Sequence, residues 1–355
     1  DFTFSRSGSA TRINSQGLIE TVTDGVSRLN YPLIDGEVVG CPHHILEPER
    51  RNLITYSEDF TQWSTNATIT PNSAISPDGT LNASLFSHSG GSFPQVALSG
   101  ITFVSGADYI PSLYVKSDGT SQVQHSLLVN NVVVNFTPTT EWVRISDLIV
   151  SPDTSGSFVI AQNSGSSVPA SFYIWGAQLE QGSYPTSYIP NNGEVNGVTR
   201  SAETANGSGD ASTFNDSEGV LMVEISGFSS DATANDSISI RGASNDNRLY
   251  IYRSSSDNKY GFAVFSGSSL ECNIKSNVVD FSENVKIAVK YKANDFALYL
   301  NGTEVNTHTS GSTPIGLSEL SFDVGGGSNH FYGNTKQLQY FDSALTDSEL
   351  QALTS

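Results

Sequence analysis

The chain has 355 residues, 36 of them acidic and 17 basic, giving a formal net charge of -19 at pH 7. Such an acid excess repels phosphate backbones and anionic surfaces, which argues against nucleic-acid partners, and no apolar run approaches the ~20 residues of a membrane span. Hydrophobic residues at 37% and aromatics at 10% suffice for a buried core, so the composition excludes a disordered chain. Residues 1 to about 50 read as short pieces, among them Phe2-Thr3-Phe4, Ala10-Thr11-Arg12-Ile13 and Gly17-Leu18-Ile19-Glu20-Thr21-Val22, broken by turn residues such as Asp24-Gly25. Pieces so short make no core of their own, so an extended N-terminal arm over 1–52 is expected to pair with a neighbouring domain, another chain or a larger particle.

From 53 to 190 strands follow at short intervals. Asp108–Lys116 ends in the turn Asp118-Gly119, Glu141-Trp142-Val143-Arg144-Ile145 alternates with period two, and Ser171–Leu179 is strongly β-prone. Turn signals without a helical period predict a β-sandwich or jelly roll. Residues 191–212 are rich in Gly, Asn and Ser, the composition of a linker, and are expected to be the most protease-sensitive interior stretch. A change in basic residues supports a boundary there: Lys116 is the sole lysine before residue 201, whereas lysine predominates after it.

The segment 213–355 resumes with strands at Gly219–Ile225, Arg248–Tyr252, Tyr260–Phe265 and Val285–Tyr291. Phe296–Leu300 meets Asn301-Gly302 before Thr303-Glu304-Val305, and Asn-Gly between alternating strands is a strong hairpin signal because both turn residues accept positive φ. Thr346 with Glu349 forms a capping box for one short C-terminal helix. The fold expected is all-β, two β-sandwiches behind an extended arm.

Two cysteines, Cys41 and Cys272, cannot staple such a scaffold, so packing and strand pairing must hold it, in a reducing compartment or indifferent to redox. The chain opens at Asp1, its one methionine is Met222, and the first residues lack the charge and apolar run of a signal peptide. It reads as a processed or visible part of a longer product.

Several stretches carry a resemblance. Phe4-Ser5-Arg6, Ala10-Thr11-Arg12, Gly17–Glu20 and Ile45–Leu53, running into Tyr56-Ser57-Glu58-Asp59-Phe60 and Trp63, resemble the leader of bacteriophage structural and tail-fibre-type proteins. Gly176-Ala177-Gln178-Leu179-Glu180, Gly182 and Pro185–Pro190 resemble the signature that ends the first sandwich of that family, a sandwich similar to jelly-roll carbohydrate-binding modules. One departure is Cys41-Pro42-His43-His44, where the phage pattern usually has a glycine and aliphatic residues. The last third, through Ala288-Val289, Leu298–Gly302, Phe331-Tyr332-Gly333 and Leu338–Asp342, resembles a concanavalin A-like or laminin G-like lectin sandwich.

Chemistry-bearing motifs are sparse. Gly325-Gly326-Gly327-Ser328 lacks the Lys-Ser/Thr of a nucleotide loop and reads as a turn. Cys41, His43 and His44 offer three zinc ligands where a closed site takes four, so an ordinary loop is the favoured reading. No Gly-x-Ser-x-Gly elbow lies between a strand and a helix. Glu47/Glu49 and Glu58/Asp59 are carboxylate pairs by proximity, but all lie in the leader signature and read as structural. Calcium would suit Asp231, Asn235 and Asp236 or Asn245, Asp246 and Asn247, although such clusters usually mark turns; no cofactor is assigned.

Sugar recognition uses aromatic faces against C–H surfaces. Trp63, Trp142, Trp175, Tyr184 and Tyr188 are the aromatic candidates. Trp175 is expected in the core with Tyr173, Ala177 and Leu179 on one strand face, which leaves Trp142, Tyr184 and Tyr188 as carbohydrate-binding candidates, the two tyrosines also able to brace domains. The resemblance implies a non-enzymatic virion protein (fibre, spike or capsid decoration) made in the host cytoplasm and contacting other virion proteins. Host attachment through surface polysaccharide and homo-oligomeric assembly are expected with it. The alternatives are a purely architectural particle-stabilising protein and a polysaccharide depolymerase.

Overall fold

A computed structural model describes residues 2–91, 93–120, 123–162, 168–228 and 235–355. Strands make up 52% of it and helix 3%, so the all-β expectation is met. Among the described residues no helix is long and apolar enough to cross a membrane.

The first sandwich is antiparallel throughout. One sheet runs in the order Thr68–Ile75, Leu81–His88, Ala170–Gln181, Asp108–Ser117, Val143–Ser146, with Ile149–Val150 also on Asp108–Ser117. The facing sheet runs Val132–Phe136, His125–Val129, Ser155–Gln162, Gln95–Thr102, Ser64–Thr65. Alternation along each strand sends one set of side chains between the sheets. Phe86, Leu113, Val115, Phe172 and Ile174 from the first meet Val96, Leu127, Val129, Phe158 and Ile160 from the second.

The long strand Ala170–Gln181 does not keep a single face, contrary to the sequence-based expectation. Pairing with Asp108–Ser117 shifts register between Ser112 and Tyr114, and Gly176, at φ 64°, takes up the irregularity. A bulge of this kind swaps the faces beyond it. Phe172 and Ile174 before it, and Ala177 and Leu179 after it, therefore all enter the main core. Trp175 is buried instead in a second cluster with Ile19, Ala83 and Tyr188, while Tyr173 is only half-buried.

The second sandwich pairs a seven-stranded sheet with a five-stranded one. The larger runs Thr303–His308, Phe296–Leu300, Val285–Lys292, Glu218–Ser226, Gly333–Phe341, His43–Leu46, Arg28–Asn30. The smaller runs Ser269–Val278, Lys259–Ser266, Arg248–Ser254, Ser237–Arg241, Glu319–Ser321. Leu221, Val223, Ile287, Val289 and Leu298 of one face Ile238, Ile240, Leu249, Ile251, Phe262 and Val264 of the other. The Asn301-Gly302 turn has φ of 45° and 78°, as the hairpin signal requires. The helix Asp347–Thr354 is closed by the reciprocal Thr346–Glu349 cap and lays Leu350 against Val220, Met222, Ala288 and Tyr299 on the outer side of the larger sheet.

The arm finds its partners within its own chain. His43–Leu46 and Arg28–Asn30 extend the larger sheet of the second sandwich, Thr3–Ser5 pairs with Thr204–Asn206, and Arg50–Asn52 pairs with Val198–Arg200. The 191–212 stretch is correspondingly not a loose tether. It carries two of those strands, Ser208 donates its N–H to the Leu320 carbonyl (3.0 Å), and Arg200 and Glu203 are buried. Composition suggested a linker because polar residues here satisfy one another and neighbouring backbone rather than filling a core.

Candidate functional site

The aromatic residues singled out in the sequence are mostly structural. Tyr188 is buried, donates its hydroxyl to Glu58 Oε1 (2.9 Å) and packs on Trp175 at 4.6 Å. Tyr184 is also buried, stacked on Phe228 at 5.4 Å on one side with the Arg50 guanidinium 5.1 Å from its ring centre. It braces the first sandwich against the segment leaving Glu218–Ser226. Neither ring has a face left for a sugar. Trp142 is half-buried against the cluster around Trp175, and its indole N–H donates to the Ile75 carbonyl (3.0 Å). Trp63 is buried in the first core.

The other motifs resolve into hydrogen bonds within the fold. Cys41 is exposed and unpaired, while His43 and His44 lie in a sheet strand, not an exposed loop; His44 sits between Phe4 and Phe322, and burial holds its pKa below the usual imidazole value. Glu58 accepts from Tyr188 and Asn82, and burial raises its carboxyl pKa. Asp231 lies outside the described residues. Asn235 Oδ1 accepts from Ser255 N–H (3.0 Å) and Asp236 pairs with Arg253. Asp246 accepts from Ser244 and Ser268, and Asn247 accepts from Gly267 N–H (3.1 Å). Among the described residues no group of three His, Cys, Asp or Glu converges.

Glu47 has a different role. It belongs to a buried charge cluster with Arg6, Arg28, Arg200 and Glu203, whose side chains are all at most 1% exposed. Arg28 reaches Glu47 (2.7 Å) and Glu203, Arg200 reaches Glu47 (2.7 Å), and Arg6 reaches Glu203 (2.7 Å). Ser187 from the end of the first sandwich donates both N–H and hydroxyl to Glu47. Burial alone would raise the Glu47 pKa, but Arg200 and Arg28 outweigh it and hold the carboxyl at about 2. The cluster ties arm, connecting stretch and first sandwich together.

An outward-facing aromatic surface lies elsewhere, on the outer face of the five-stranded sheet. Arg248–Ser254 alternates, sending Leu249, Ile251 and Arg253 inward and leaving Arg248, Tyr250 and Tyr252 half-buried on the outside. Their cross-strand partners on Lys259–Ser266 are Phe265, Ala263 and Gly261. Tyr252 reaches across Gly261, where any Cβ would overlap its ring. The ring therefore lies down on the sheet, and its hydroxyl donates to Asn273 Oδ1 (2.8 Å) one strand further on. Burial first, then the neighbouring Tyr250 and Asp257, push that hydroxyl up to about 12, so it stays a neutral donor. Tyr250 lies 5.6 Å from Tyr252 and 6.3 Å from Phe265, nearly parallel to the latter. Arg248 caps Phe265 at 4.3 Å, and Lys275 stands 5.8 Å from the Tyr252 ring centre. The result is an aromatic strip bordered by amide and charged groups. The alternation Arg248-x-Tyr250-x-Tyr252 is legible in the sequence, whereas its placement opposite Gly261 depends on strand pairing.

The carboxylates around this strip are engaged. Asp257 pairs with Lys275 (3.0 Å), Glu319 with Arg241 (2.9 Å), and Glu271 accepts the Ser312 N–H (2.8 Å).

Residues 226–351 match the concanavalin A-like lectin/glucanases superfamily, so the sandwich that carries the strip is of the concanavalin A-like kind. Of its larger sheet, the two strands from the arm and all of Glu218–Ser226 except Ser226 lie outside the matched range. Similar solved structures include the Ruminococcus gnavus IT-sialidase CBM40, at 16% identity over 42% of this chain and 94% of that one, TM-score 0.35. A heptameric SAP-like pentraxin from Limulus polyphemus aligns at 15% identity over 42% of this chain and 74% of its own, TM-score 0.33. The CBM22 tandem of Paenibacillus barcinonensis Xyn10C aligns at 10% identity over 83% and 98%, TM-score 0.29. No curated protein matches the chain.

Proposed function

We propose that this protein is a non-catalytic glycan binder, with the outer face around Tyr250, Tyr252 and Phe265 as its binding surface. The observation that carries this reading is Tyr252 lying across Gly261 with its hydroxyl held by Asn273. A ring fixed flat before the ligand arrives offers an apolar face to sugar C–H groups at little entropic cost. Asn273, Lys275 and Arg248 supply hydrogen-bonding groups around it. A binder needs no acid and base facing each other across a cleft, as a glycosidase does, and the carboxylates beside the strip serve local ion pairs and a backbone hydrogen bond.

The leader and the Gly176–Pro190 signature support display on a bacteriophage particle as a fibre, spike or capsid decoration, with host-surface polysaccharide as ligand. Many copies would compensate for a shallow, weak site by avidity. The reading is tested on a glycan array with the whole chain and with Tyr252→Ala. Retained thermal stability with lost glycan signal supports it. An unchanged array profile would leave this face without the proposed role, and steady release of reducing ends from capsular polysaccharide would make the protein a depolymerase.

A further inference from the structure

A second opening lies where the two sheets of the second sandwich end, away from the tyrosine strip. The seven-stranded sheet ends in His43–Leu46 and Arg28–Asn30. Opposite it, the paired strands Thr3–Ser5 and Thr204–Asn206 carry the five-stranded sheet onward past Glu319–Ser321. The link is made by Phe322 N–H donating to the Ala205 carbonyl (3.0 Å) and Leu320 N–H donating to the Ser208 carbonyl (2.8 Å). Between these extensions is a cleft of about 510 Å³, within the range of about 300–1,000 Å³ usual for small-molecule sites.

One wall follows a single cross-strand row. Ile225, Thr335, His44 and Leu29 are successive pairing partners on four neighbouring strands, and directly paired residues project to one face. The row starts in the core at Ile225 and reaches the surface at Leu29, which is exposed. Rings from the arm and from the segment after Glu319–Ser321 form the other wall. Phe322 lies 5.2 Å from Phe2 and 6.1 Å from His44, and Phe4 lies 6.2 Å from His44. Such walls suit a planar apolar occupant.

Two polar groups in the row are unused. Thr335 is 8% exposed, and its hydroxyl is buried without a hydrogen-bond partner, an arrangement that lowers stability until something bonds to it. The His44 ring makes no hydrogen bond among the described residues, and burial keeps it neutral. A neutral imidazole has an acceptor nitrogen in either tautomer. Among the described residues no carboxylate lines the cleft, and Lys336 at its lip is paired with Glu224 (2.8 Å), which favours a neutral ligand over a cation.

We infer that this cleft binds a neutral aromatic molecule carrying a hydroxyl, a phenol in chemical class. Its ring lies among Phe2, Phe4 and Phe322; its O–H donates to His44 while its oxygen accepts from Thr335.

The test is equilibrium dialysis of the whole chain against 2-naphthol, naphthalene and 2-naphthylmethylammonium, each read by its fluorescence. Expected is binding of 2-naphthol about tenfold tighter than naphthalene, the worth of matching the two polar groups, with the ammonium compound weakest. Thr335→Val keeps the shape of the side chain and removes only an unmatched hydroxyl, so it should hold or raise the melting temperature while weakening 2-naphthol and leaving naphthalene unchanged. His44→Phe should bring 2-naphthol down to the affinity of naphthalene. Tyr252→Ala should alter neither, which separates this cleft from the glycan surface. No binding of 2-naphthol, equal affinity for 2-naphthol and naphthalene, preference for the ammonium compound, or Thr335→Val that lowers the melting temperature and spares 2-naphthol would each overturn the assignment.

Discussion

Arg28 and Glu203 meet in the interior although 175 residues separate them, with Arg28 Nε donating to Glu203 Oε1 at 2.8 Å. Glu203 also accepts the Glu47 N–H (3.0 Å) and a guanidinium bond from Arg6 (2.7 Å). One carboxylate thus joins three points of the arm to the stretch between the sandwiches. Taking two charges out of water is costly, so the gain from such a cluster over apolar packing is small; breaking it is another matter, because the partners left behind stay buried and unpaired.

Glu203→Ala should therefore destabilise the protein by about 3–5 kcal/mol, leaving Arg6 and Arg28 short of their counter-charge. Urea unfolding followed by tryptophan fluorescence measures this. A change below about 1 kcal/mol, the size expected of a surface pair, would mean that the cluster is hydrated.

The connecting stretch should resist protease. Arg200 and Glu203 are buried and the strands Val198–Arg200 and Thr204–Asn206 are paired on the arm, so cutting within 198–206 requires sub-global opening. Mass spectrometry of brief digests should find the first cuts elsewhere. Early cleavage between 198 and 206 would return that stretch to the role of a tether.

Replacing Gly261 by alanine should act on Tyr252 without touching any ligand. The new methyl group overlaps the ring, which must lift off the sheet and give up Asn273. Glycan affinity should fall about tenfold, the worth of one aromatic contact of about 1.5 kcal/mol, with a smaller change in melting temperature than a core cavity causes. Unchanged affinity would show that the flat ring is irrelevant to binding.

His125 sets an acid limit. It is buried among Phe86, Phe136 and Phe172; burial, opposed by the Val123 carbonyl and assisted by nearby His88, holds its pKa down to about 4 against an ordinary 6.5. Between these values the unfolded chain binds the proton and the folded one does not, so stability is full above pH 6.5 and declines as pH falls toward 4. His125→Gln should flatten that part of the stability profile measured by urea titration at a series of pH values. An identical slope in the variant would assign the loss to other groups.

Local patterns in the residues determined the all-β class, the two sandwiches, the Asn301-Gly302 hairpin and the Thr346–Glu349 cap, because period-two alternation, positive-φ turns and capping are decided within a few neighbours along the chain. The sites were less legible. Tyr184 and Tyr188 look like loop residues able to greet a ligand, yet partners more than a hundred positions away in Ser57 and Glu58 hold Tyr188, and Phe228 covers Tyr184. Tyr252 looks like one more strand aromatic until strand pairing sets it opposite Gly261. The arm and the Gly/Asn/Ser-rich stretch similarly read as loose segments, because short polar strands show no core of their own and their burial depends on charges brought together from residues 6, 28, 47, 200 and 203. Tertiary structure alone decided these matters, since exposure, ring orientation and the neutralisation of buried charge are properties of neighbours in space rather than of neighbours in sequence.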